Sequence, residues 1–261
     1  MAVGAKSRRV GLARALSKLG YCSRAAGFQL ARAGRVRVNG VVRRDPESPV
    51  HLGQDRIEIE GRAVEAAPFV YLMMNKPRGV VTTASDEKGR ETVYGYLPDD
   101  LPWVAPVGRL DKASEGLLLL TNDSEWAGRV TAPETHLDKT YHVQVGVVAG
   151  VELADAMLRG VKTEDGILRV KGAGILRGGE KNTWLEIVLD EGKNRQIRRV
   201  LDGLGVQVLR LVRAAIGPLK LAELPKGGVR RVSHAEKEAL DNEMEQRTRV
   251  KRNASGRRGR L

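Results

Sequence analysis

The feature that most limits how this chain folds is a series of short apolar runs between Val70 and Val232. Five of them have the length and content of strands, and they read VYLMMN, GLLLLT, KTYHVQV, WLEIVL and VQVLRLVR. Turns and helical stretches around 123–130, 150–160 and 194–204 separate them. Helices do not alternate strictly with these strands, so the pattern favours an α+β fold with a mixed, mainly antiparallel sheet and flanking helices.

The composition narrows the class of protein. There are 45 Lys and Arg against 32 Asp and Glu, a net charge of +13, which favours a polyanionic partner such as nucleic acid, although solubility or membrane association also fits a basic surface. The single cysteine, Cys22, excludes a disulfide framework, and no Cys/His cluster has zinc-ligand spacing. No apolar run approaches a membrane span, and the start MAVGAKSRRV lacks a signal core. We expect a cytoplasmic protein with Cys22 reduced.

The first 44 residues carry charge of one sign. They contain no acidic residue, and their positive side chains are Lys6, Arg8, Arg9, Arg14, Lys18, Arg24, Arg32, Arg35, Arg37, Arg43 and Arg44. A merely solvated face usually intersperses both signs, and this segment is also patterned like folded structure. We therefore predict a folded surface that binds phosphates.

The pattern within this segment predicts two helices and a hairpin. Leu12, Leu16 and Leu19 recur at helical spacing up to Gly20, and Ser23 is a plausible N-cap for a second helix that ends at Gly34. Residues 35–38 alternate charged and apolar side chains, and Asn39-Gly40 suits a tight hairpin turn before Val41 and Val42. The result is a small helix-pair-plus-hairpin unit.

The stretch LARALSKLGYCSRAAGFQLARAGRVRVNGVV, with DRIEIEG after it, resembles the RNA-binding module named for ribosomal small-subunit protein four, the alpha-L motif. Gly27 inside the second helix departs from a good helix sequence and costs about 1 kcal/mol relative to Ala. The residues that we expect to contact RNA in this module are Arg9, Arg14, Lys18, Arg24, Arg32, Arg35, Arg37 and Asn39.

The composition also suggests two domains followed by a tail. Residues 62–69, RAVEAAPF, have the character of a short linker, which divides an RNA-binding domain at 9–66 from a catalytic domain at 67–235. The tail at 236–261 starts like a helix. From Arg247 to Arg260 it carries seven positive charges and no negative ones, which predicts a poorly structured end. It serves either solubility or nonspecific RNA tethering.

The segment VGRLDKASEGLLLLTND, residues 107–123, is the most informative in the chain. Leu117 to Leu120 with Thr121 have the content of a buried strand, so Asp111 sits on a loop beside the sheet. Taken alone, an Asp in such a loop is most often a turn or cap residue. The surrounding segment and other stretches of the chain indicate a role for Asp111 beyond that of a turn residue.

This segment resembles the signature of the pseudouridine synthases that act on ribosomal RNA, of the RsuA and RluB type. Three further stretches agree in order and spacing: MNKPRGVVTT, KTYHVQV and EGKNRQIRRVLDGLGVQVLRLVRAAIGPLKL. With the N-terminal module, the resemblance spans roughly residues 10–232. Ser114 and Ser124 depart from the usual Thr and Gly without removing a group that the chemistry requires. The resemblance implies that Asp111 is the catalytic residue.

The reaction implied by this resemblance converts uridine to pseudouridine in ribosomal RNA. The bond from ribose to the ring nitrogen breaks, the uracil rotates, and it rejoins through carbon five. No redox change or energy input is involved, so we expect no cofactor and no metal. An ionised carboxylate serves as nucleophile or base, and the sequence leaves open whether Asp111 adds to the ring, adds to the ribose or removes a ribose proton.

The resemblance also implies the neighbours of Asp111. A carboxylate in a site that excludes water needs a positive partner to stay ionised. The family's Gln-Ile-Arg makes Arg198 that partner, in preference to Arg195 and Arg199. Tyr141 would pack on the flipped base, since reaching the base requires taking it out of its stack, and Leu211 would line the pocket, although it also suits an ordinary core position.

Further basic residues flank the predicted catalytic loop. We expect RNA contacts here from Lys76, Arg78, Arg109, Lys193, Asn194 and Arg195. Phosphate contacts should make affinity fall steeply with salt, and recognition should depend on RNA shape and backbone. A non-catalytic ribosome-assembly factor is the alternative, and it would be expected to lack Asp111, Tyr141 or Arg198. A synthase for transfer or messenger RNA differs only in target. We expect a monomer.

Overall fold

The structure is a computed structural model that describes residues 9–84, 86–164 and 166–258, with side chains up to residue 249. Lys6 and Arg8 of the basic segment lie outside the described residues. The chain forms two compact units. The first runs through Tyr71 and includes Pro98–Ala105 and Leu120–Ser124, and the second comprises Leu72–Leu97, Pro106–Leu119 and the chain from Glu125 onward.

The first unit contains two helices and short strands. In chain order these are β1 (Arg9–Gly11), α1 (Leu12–Lys18), α2 (Arg24–Arg32), β2 (Val36–Val38), β3 (Val41–Val42), β4 (Pro49–His51), β5 (Ile57–Ile59) and β6 (Arg62–Ala63). Strands β1 and β4 pair antiparallel, and the other four form a sheet in the order β3-β2-β5-β6. Leu12, Leu16 and Ile57 are buried in a core shared by the helices and the sheet. The predicted helix pair and hairpin are confirmed.

Local contacts explain the boundaries of these elements. The Ser23 hydroxyl accepts a hydrogen bond from the Ala26 amide at 3.0 Å, which caps α2 as predicted. Asn39 and Gly40 have φ of 51° and 81°, the left-handed values that a tight hairpin turn requires. A Cβ on Gly27 would lie 3.1 Å from the Ala13 carbonyl oxygen, so this glycine lets the two helices approach closely.

The predicted linker at 62–69 is wrong at its beginning. Residues 62–63 form β6, which pairs with β5 through the registers Glu58–Ala63 and Ile59–Arg62. The turn between these strands is made by Glu60 and Gly61, both with positive φ. No glycine-proline or asparagine-glycine signal marks this turn, and its strands are only two and three residues long.

The second unit is built on a mixed sheet, and a few terminal residues of its elements, at 71, 105, 120–121 and 124, are counted with the first unit. Its strands are β7 (Tyr71–Lys76), β8 (Ala105–Val107), β9 (Glu115–Thr121), β10 (Lys139–Val145), β11 (Val161–Thr163), β12 (Gly166–Leu168), β13 (Gly172–Gly178), β14 (Thr183–Leu189), β15 (Val208–Ile216), β16 (Leu219–Lys220) and β17 (Val229–Arg231). Its helices are α3 (Ser124–Thr131), α4 (Val151–Arg159), α5 (Gln196–Asp202) and α6 (His234–Arg258), with short 3₁₀ turns at Val93–Tyr96 and Pro133–Thr135.

The order in the main sheet is β13-β14-β10-β15-β9-β7-β17, with β16 beside β15 and β8 beside β9. The pairs β13–β14, β14–β10, β10–β15 and β7–β17 are antiparallel, and β9–β15 is parallel. Gly116 makes that parallel contact possible, since a Cβ there would overlap the backbone of Arg213. The predicted α+β class with a mainly antiparallel sheet is confirmed.

One face of strands β10, β14 and β15 lines a core. Val143, Leu185, Ile187 and Leu211 point into it and pack against α4 and α5 through side chains such as Val200. Leu117 to Leu120 of β9 are fully buried, as their apolar run predicted. Among the described residues, no helix combines the length and apolar content needed to cross a membrane.

The tail differs from the prediction of a poorly structured end. Helix α6 continues through Arg258, and 259–261 lie outside the described residues. Leu240 and Met244 of this helix are buried. Ion pairs one turn apart support it, among them Arg247 with Glu243 at 2.7 Å. The prediction was based on net charge, which takes no account of ion pairs between neighbouring turns of a helix.

Candidate active site

Asp111 lies on the loop that joins β8 to β9. The amide of Ser114 donates to the Asp111 carbonyl oxygen at 3.0 Å, which closes a tight turn. The Asp111 side chain is 36% exposed, so its carboxylate is open to solvent from this turn. A purely structural turn residue would direct its carboxylate to the backbone, whereas this carboxylate accepts a hydrogen bond from the guanidinium of Arg195 at 3.4 Å.

The segment after β7 fastens this loop. Lys76 Nζ donates to the carbonyl oxygens of Pro77 at 2.9 Å, Ser114 at 2.9 Å and Asp111 at 3.3 Å. The Gly79 amide donates to the Lys112 carbonyl at 2.8 Å. Thr82 Oγ1 adds a bond to the Leu110 carbonyl at 2.9 Å. The stretch MNKPRGVVTT therefore acts physically as the support of the loop that carries Asp111.

The expectation that Lys76 meets RNA phosphates is wrong. Its side chain is fully buried and its ammonium is held by backbone carbonyls. Burial lowers the pKa of Lys76 from 10.5 to about 8, with Glu115 and Asp111 opposing that change and Arg213 adding to it. Sequence reasoning missed this because an isolated lysine in a basic protein is normally at the surface.

The ion-pair partner of Asp111 is Arg195, with Nη1 3.4 Å from the carboxylate Oδ2. The prediction of Arg198 for this contact is wrong. Arg198 instead donates through Nη2 to the Ala113 carbonyl at 3.1 Å, on the same loop. Helix α5 begins at Gln196, and Arg195 precedes it in the left-handed conformation with φ of 47°. That conformation turns Arg195 towards the loop.

Arg198 is nevertheless electrostatically part of the site. Burial lowers its pKa, Arg195 and Arg78 lower it further, and Asp111 opposes them. Within the described part of the chain, its Nε is buried without a hydrogen-bond partner. The site therefore combines one exposed cation, Arg195, with one desolvated cation, Arg198, beside a single carboxylate.

Tyr141 and Leu211 lie on neighbouring strands. Tyr141 of β10 is opposite Ile187 of β14, and Leu211 of β15 is opposite Val143 of β10. Both contact the core cluster that also includes α5, which carries Arg198. Tyr141 is partly exposed, whereas Leu211 is 5% exposed and belongs to the core itself.

The remaining predicted contacts near the loop are accessible. Arg78, Arg109, Lys193 and Asn194 are exposed, as is Arg195. Arg78 Nη1 makes a long bond of 3.4 Å to the Leu209 carbonyl. Exposed donors on three segments thus accompany the loop of Asp111.

The predicted RNA-binding residues of the first unit are mostly exposed. Those on the surface are Arg9, Arg14, Arg24, Arg32, Arg35, Arg37 and Asn39, whereas Lys18 is partly buried. Several already have partners: Arg35 pairs with Glu60 at 2.6 Å, and Asn39 exchanges hydrogen bonds with Asp55 and the Arg56 amide. Asn39 therefore has a structural role in its turn.

Sequence reasoning missed Glu115, the carboxylate that follows the turn of Asp111. Its side chain is 4% exposed, and Arg210 holds it with two bonds of 3.1 and 3.0 Å while Lys226 approaches at 3.2 Å. Burial alone would raise the pKa of Glu115, but these cations bring it below the usual value. The sequence did contain a signal for Glu115, because an acidic residue stands there at the start of a buried apolar strand. In the described residues, no group of three His, Cys, Asp or Glu side chains is arranged to hold a metal ion.

Comparison with known proteins agrees with this geometry. The family model for RNA pseudouridylate synthase matches residues 70–202, and that for the S4 domain matches residues 10–57. The chain is 35% identical over 231 residues to ribosomal large subunit pseudouridine synthase B of Bacillus subtilis, covering 88% of this chain and 94% of that protein. It is 37% identical to an RNA pseudouridine synthase of Aquifex aeolicus, with 85% and 89% covered.

A solved structure gives the same result. A crystal structure of a pseudouridylate synthase superposes with a TM-score of 0.62 at 28% identity and covers 88% of this chain and 99% of that one. The family match includes the fastened loop of Asp111, the strand of Tyr141 and the helix of Arg198. The chain belongs to the RNA pseudouridylate synthase family, and it is a pseudouridine synthase that carries an S4 domain before its catalytic domain.

Proposed function

We propose that this pseudouridine synthase isomerises a specific uridine of ribosomal RNA. The basic, mostly exposed surface of the first unit is suited to RNA phosphates, and the Bacillus subtilis relative is named for the large ribosomal subunit. The S4 domain would hold the catalytic domain near its substrate, a gain that comes from tethering. The enzyme would act as a monomer in the cytoplasm, where bacterial ribosomal RNA is made.

The observation that carries the proposal is the position of Asp111. Its carboxylate is solvent-accessible, its backbone is fixed by Lys76, and Arg195 lies 3.4 Å from it. A nearby guanidinium favours the ionised form that a nucleophile or base requires. Asp111 thus meets the chemical requirements of the catalytic residue.

The reaction conserves every atom of the nucleotide. The bond between ribose C1′ and uracil N1 breaks, the uracil rotates, and C1′ bonds to C5. The proton on C5 is lost while N1 gains one, so the product is an isomer. Asp111 would assist cleavage by adding to the ribose or the ring, or by removing a ribose proton, and no redox partner is consumed.

The base must leave its stack to reach Asp111, which costs a few kcal/mol. Tyr141 is partly exposed beside the core and would pack on the flipped uracil. Leu211 would line the apolar wall of the pocket that receives the uracil. Arg198, desolvated and with a buried free donor in the described region, would stabilise negative charge on Asp111 or the substrate. The exposed donors of the site that would contact neighbouring phosphates are Arg78, Arg109, Lys193, Asn194 and Arg195.

The proposed domains correspond to the two family models that match the chain. We propose an RNA-binding domain at 9–66 and a catalytic domain at 67–235, with the segment from 236 onward as a basic appendage. Deleting residues 1–66 should weaken binding to ribosomal RNA more than it slows turnover of bound RNA. A truncated chain that bound as tightly as the full chain would contradict the tethering argument.

Mapping pseudouridines in ribosomal RNA from cells with and without the gene tests the function. Loss of one modified site, restored by the wild type and by Asp155→Asn but not by Asp111→Asn, is expected. Asp155 lies exposed on α4 and provides a matched control. An unchanged ribosomal map with a site lost from transfer RNA would redirect the proposal to that substrate, and activity of purified Asp111→Asn would refute the catalytic assignment.

A further inference from the structure

The face of the catalytic sheet that points away from the core carries a row of three side chains. Trp184 of β14 lies opposite Arg177 of β13 and opposite Gln144 of β10, and Gln144 in turn lies opposite Arg210 of β15. Directly opposite residues point to the same face of a sheet. Since Leu185 beside Trp184 points into the core, Arg177, Trp184 and Arg210 lie on the other face. We call them the arginine–tryptophan row.

Both guanidinium groups stack on the indole ring. The Arg177 guanidinium carbon is 5.1 Å from the ring centroid, and that of Arg210 is 5.5 Å from it. In the order β13-β14-β10-β15 they reach Trp184 from its two sides. A guanidinium that stacks uses its flat face, so its N–H groups remain in plane to donate elsewhere.

The two arginines differ in how those donors are used. Arg210 is bound to the buried carboxylate of Glu115 through two bonds of 3.1 and 3.0 Å, which fixes its position. Arg177 is exposed, and within the described ranges no carbonyl or carboxylate accepts from it. The ring therefore holds the Arg177 cation in place while its donors stay available, which is the arrangement that an oxyanion requires.

The net charge of this face also favours an oxyanion. Arg210 and Lys226 both meet Glu115, so a positive charge remains there after the buried carboxylate is neutralised. Glu186 is on this face as well, so Arg177, Arg210 and Lys226 are set against the two carboxylates of Glu115 and Glu186. Arg177 adds a cation with no acidic partner in the described part of the chain, and the face carries a surplus of positive charge.

The row is linked to the active site through Arg78. Arg78 Nη1 donates to the carbonyl of Leu209, the residue before Arg210. The charge of Arg78 also lowers the pKa of Arg198. Cations thus extend from the loop of Asp111 through Arg78 to the row.

We propose that the arginine–tryptophan row binds a backbone phosphate of the RNA substrate, with Arg177 as the donor. The inference rests on the proposed function in one respect, that RNA is the substrate. It assigns the sheet face itself to substrate binding, in addition to the S4 domain and the catalytic loop.

Binding of unmodified transcripts of the two large ribosomal RNAs tests this, on the Asp111→Asn background so that turnover does not interfere. One phosphate contact contributes a factor of about 5 to 8 in affinity at 0.1 M salt. Arg177→Gln should weaken binding by that factor and reduce the slope of log affinity against log salt by about one. Arg159→Gln, the same charge change at an exposed site on α4, should alter neither quantity.

Trp184→Leu tests whether the ring acts through Arg177. Trp184→Leu should weaken RNA binding when Arg177 is present. In the Arg177→Gln background it should cause little further loss of affinity. Affinity and salt slope of Arg177→Gln equal to those of Arg159→Gln would overturn the inference, and additive losses would overturn the part assigned to the ring. If the wild type binds ribosomal RNA without modifying it, the proposed function fails and the inference stands.

Discussion

Lys76 offers the sharpest test of how the loop of Asp111 is supported. Its ammonium is fully buried and donates to carbonyls of Pro77, Ser114 and Asp111. Burial lowers its pKa from 10.5 to about 8 in the folded chain. In the unfolded chain the lysine titrates near its ordinary value, so between these two pH values the unfolded state binds more protons than the folded state. Stability must therefore rise with pH across that window.

The size of the effect follows from the same pKa difference. Each pH unit well inside the window adds about 1.4 kcal/mol to the free energy of unfolding, so raising the pH from about 7 to about 9.5 adds roughly 2 kcal/mol. This gain in the free energy of unfolding is complete above the pKa of Lys76 in the unfolded chain. It is lost as the pH falls through the pKa of Lys76 in the folded chain. Replacing Lys76 by Met removes it, whatever the variant's absolute stability.

The assay is urea unfolding followed by tryptophan fluorescence at several pH values, and the quantity is the difference in unfolding free energy between wild type and Lys76→Met. That difference should increase in favour of the wild type by about 2 kcal/mol from about pH 7 to about pH 9.5. Lys220→Met, at an exposed lysine of β16, should give a difference that does not vary with pH. A flat or decreasing difference for Lys76→Met would refute the burial argument.

Three further predictions concern single contacts. Gly116→Ala should destabilise the catalytic domain by about 3 kcal/mol in urea unfolding, because a Cβ at φ of 103° would overlap the Arg213 backbone; stability equal to wild type would contradict the close β9–β15 contact. Ser23→Ala should cost about 1 kcal/mol through loss of the α2 cap, measured by thermal unfolding of the S4 domain within the full chain. Arg195→Gln should slow single-turnover pseudouridine formation while changing unfolding free energy by less than about 1 kcal/mol, because an exposed ion pair stabilises little. An unchanged rate would show that the contact with Asp111 has no part in the reaction.

Local pattern was sufficient for much of this protein. The Ser23 cap, the Asn39-Gly40 turn and the buried run from Leu117 to Leu120 each depend on neighbours within a few residues, and each was predicted correctly. The resemblance of four ordered segments indicated the family, because those segments carry the groups that the reaction needs. Where local signals were weak, as for β6 after Glu60-Gly61, the prediction was wrong.

The partners of charged side chains were decided only by the tertiary structure. Sequence placed Lys76 among the phosphate contacts, yet the fold buries it under the Asp111 turn 35 residues away. It favoured Arg198 for Asp111, yet the left-handed backbone at Arg195 brings that side chain to the carboxylate. A charge interacts with whatever lies within a few ångströms of it, and the folding of distant segments together sets those neighbours. Composition and motif therefore determined what chemistry this chain performs, and packing determined which side chain stands where.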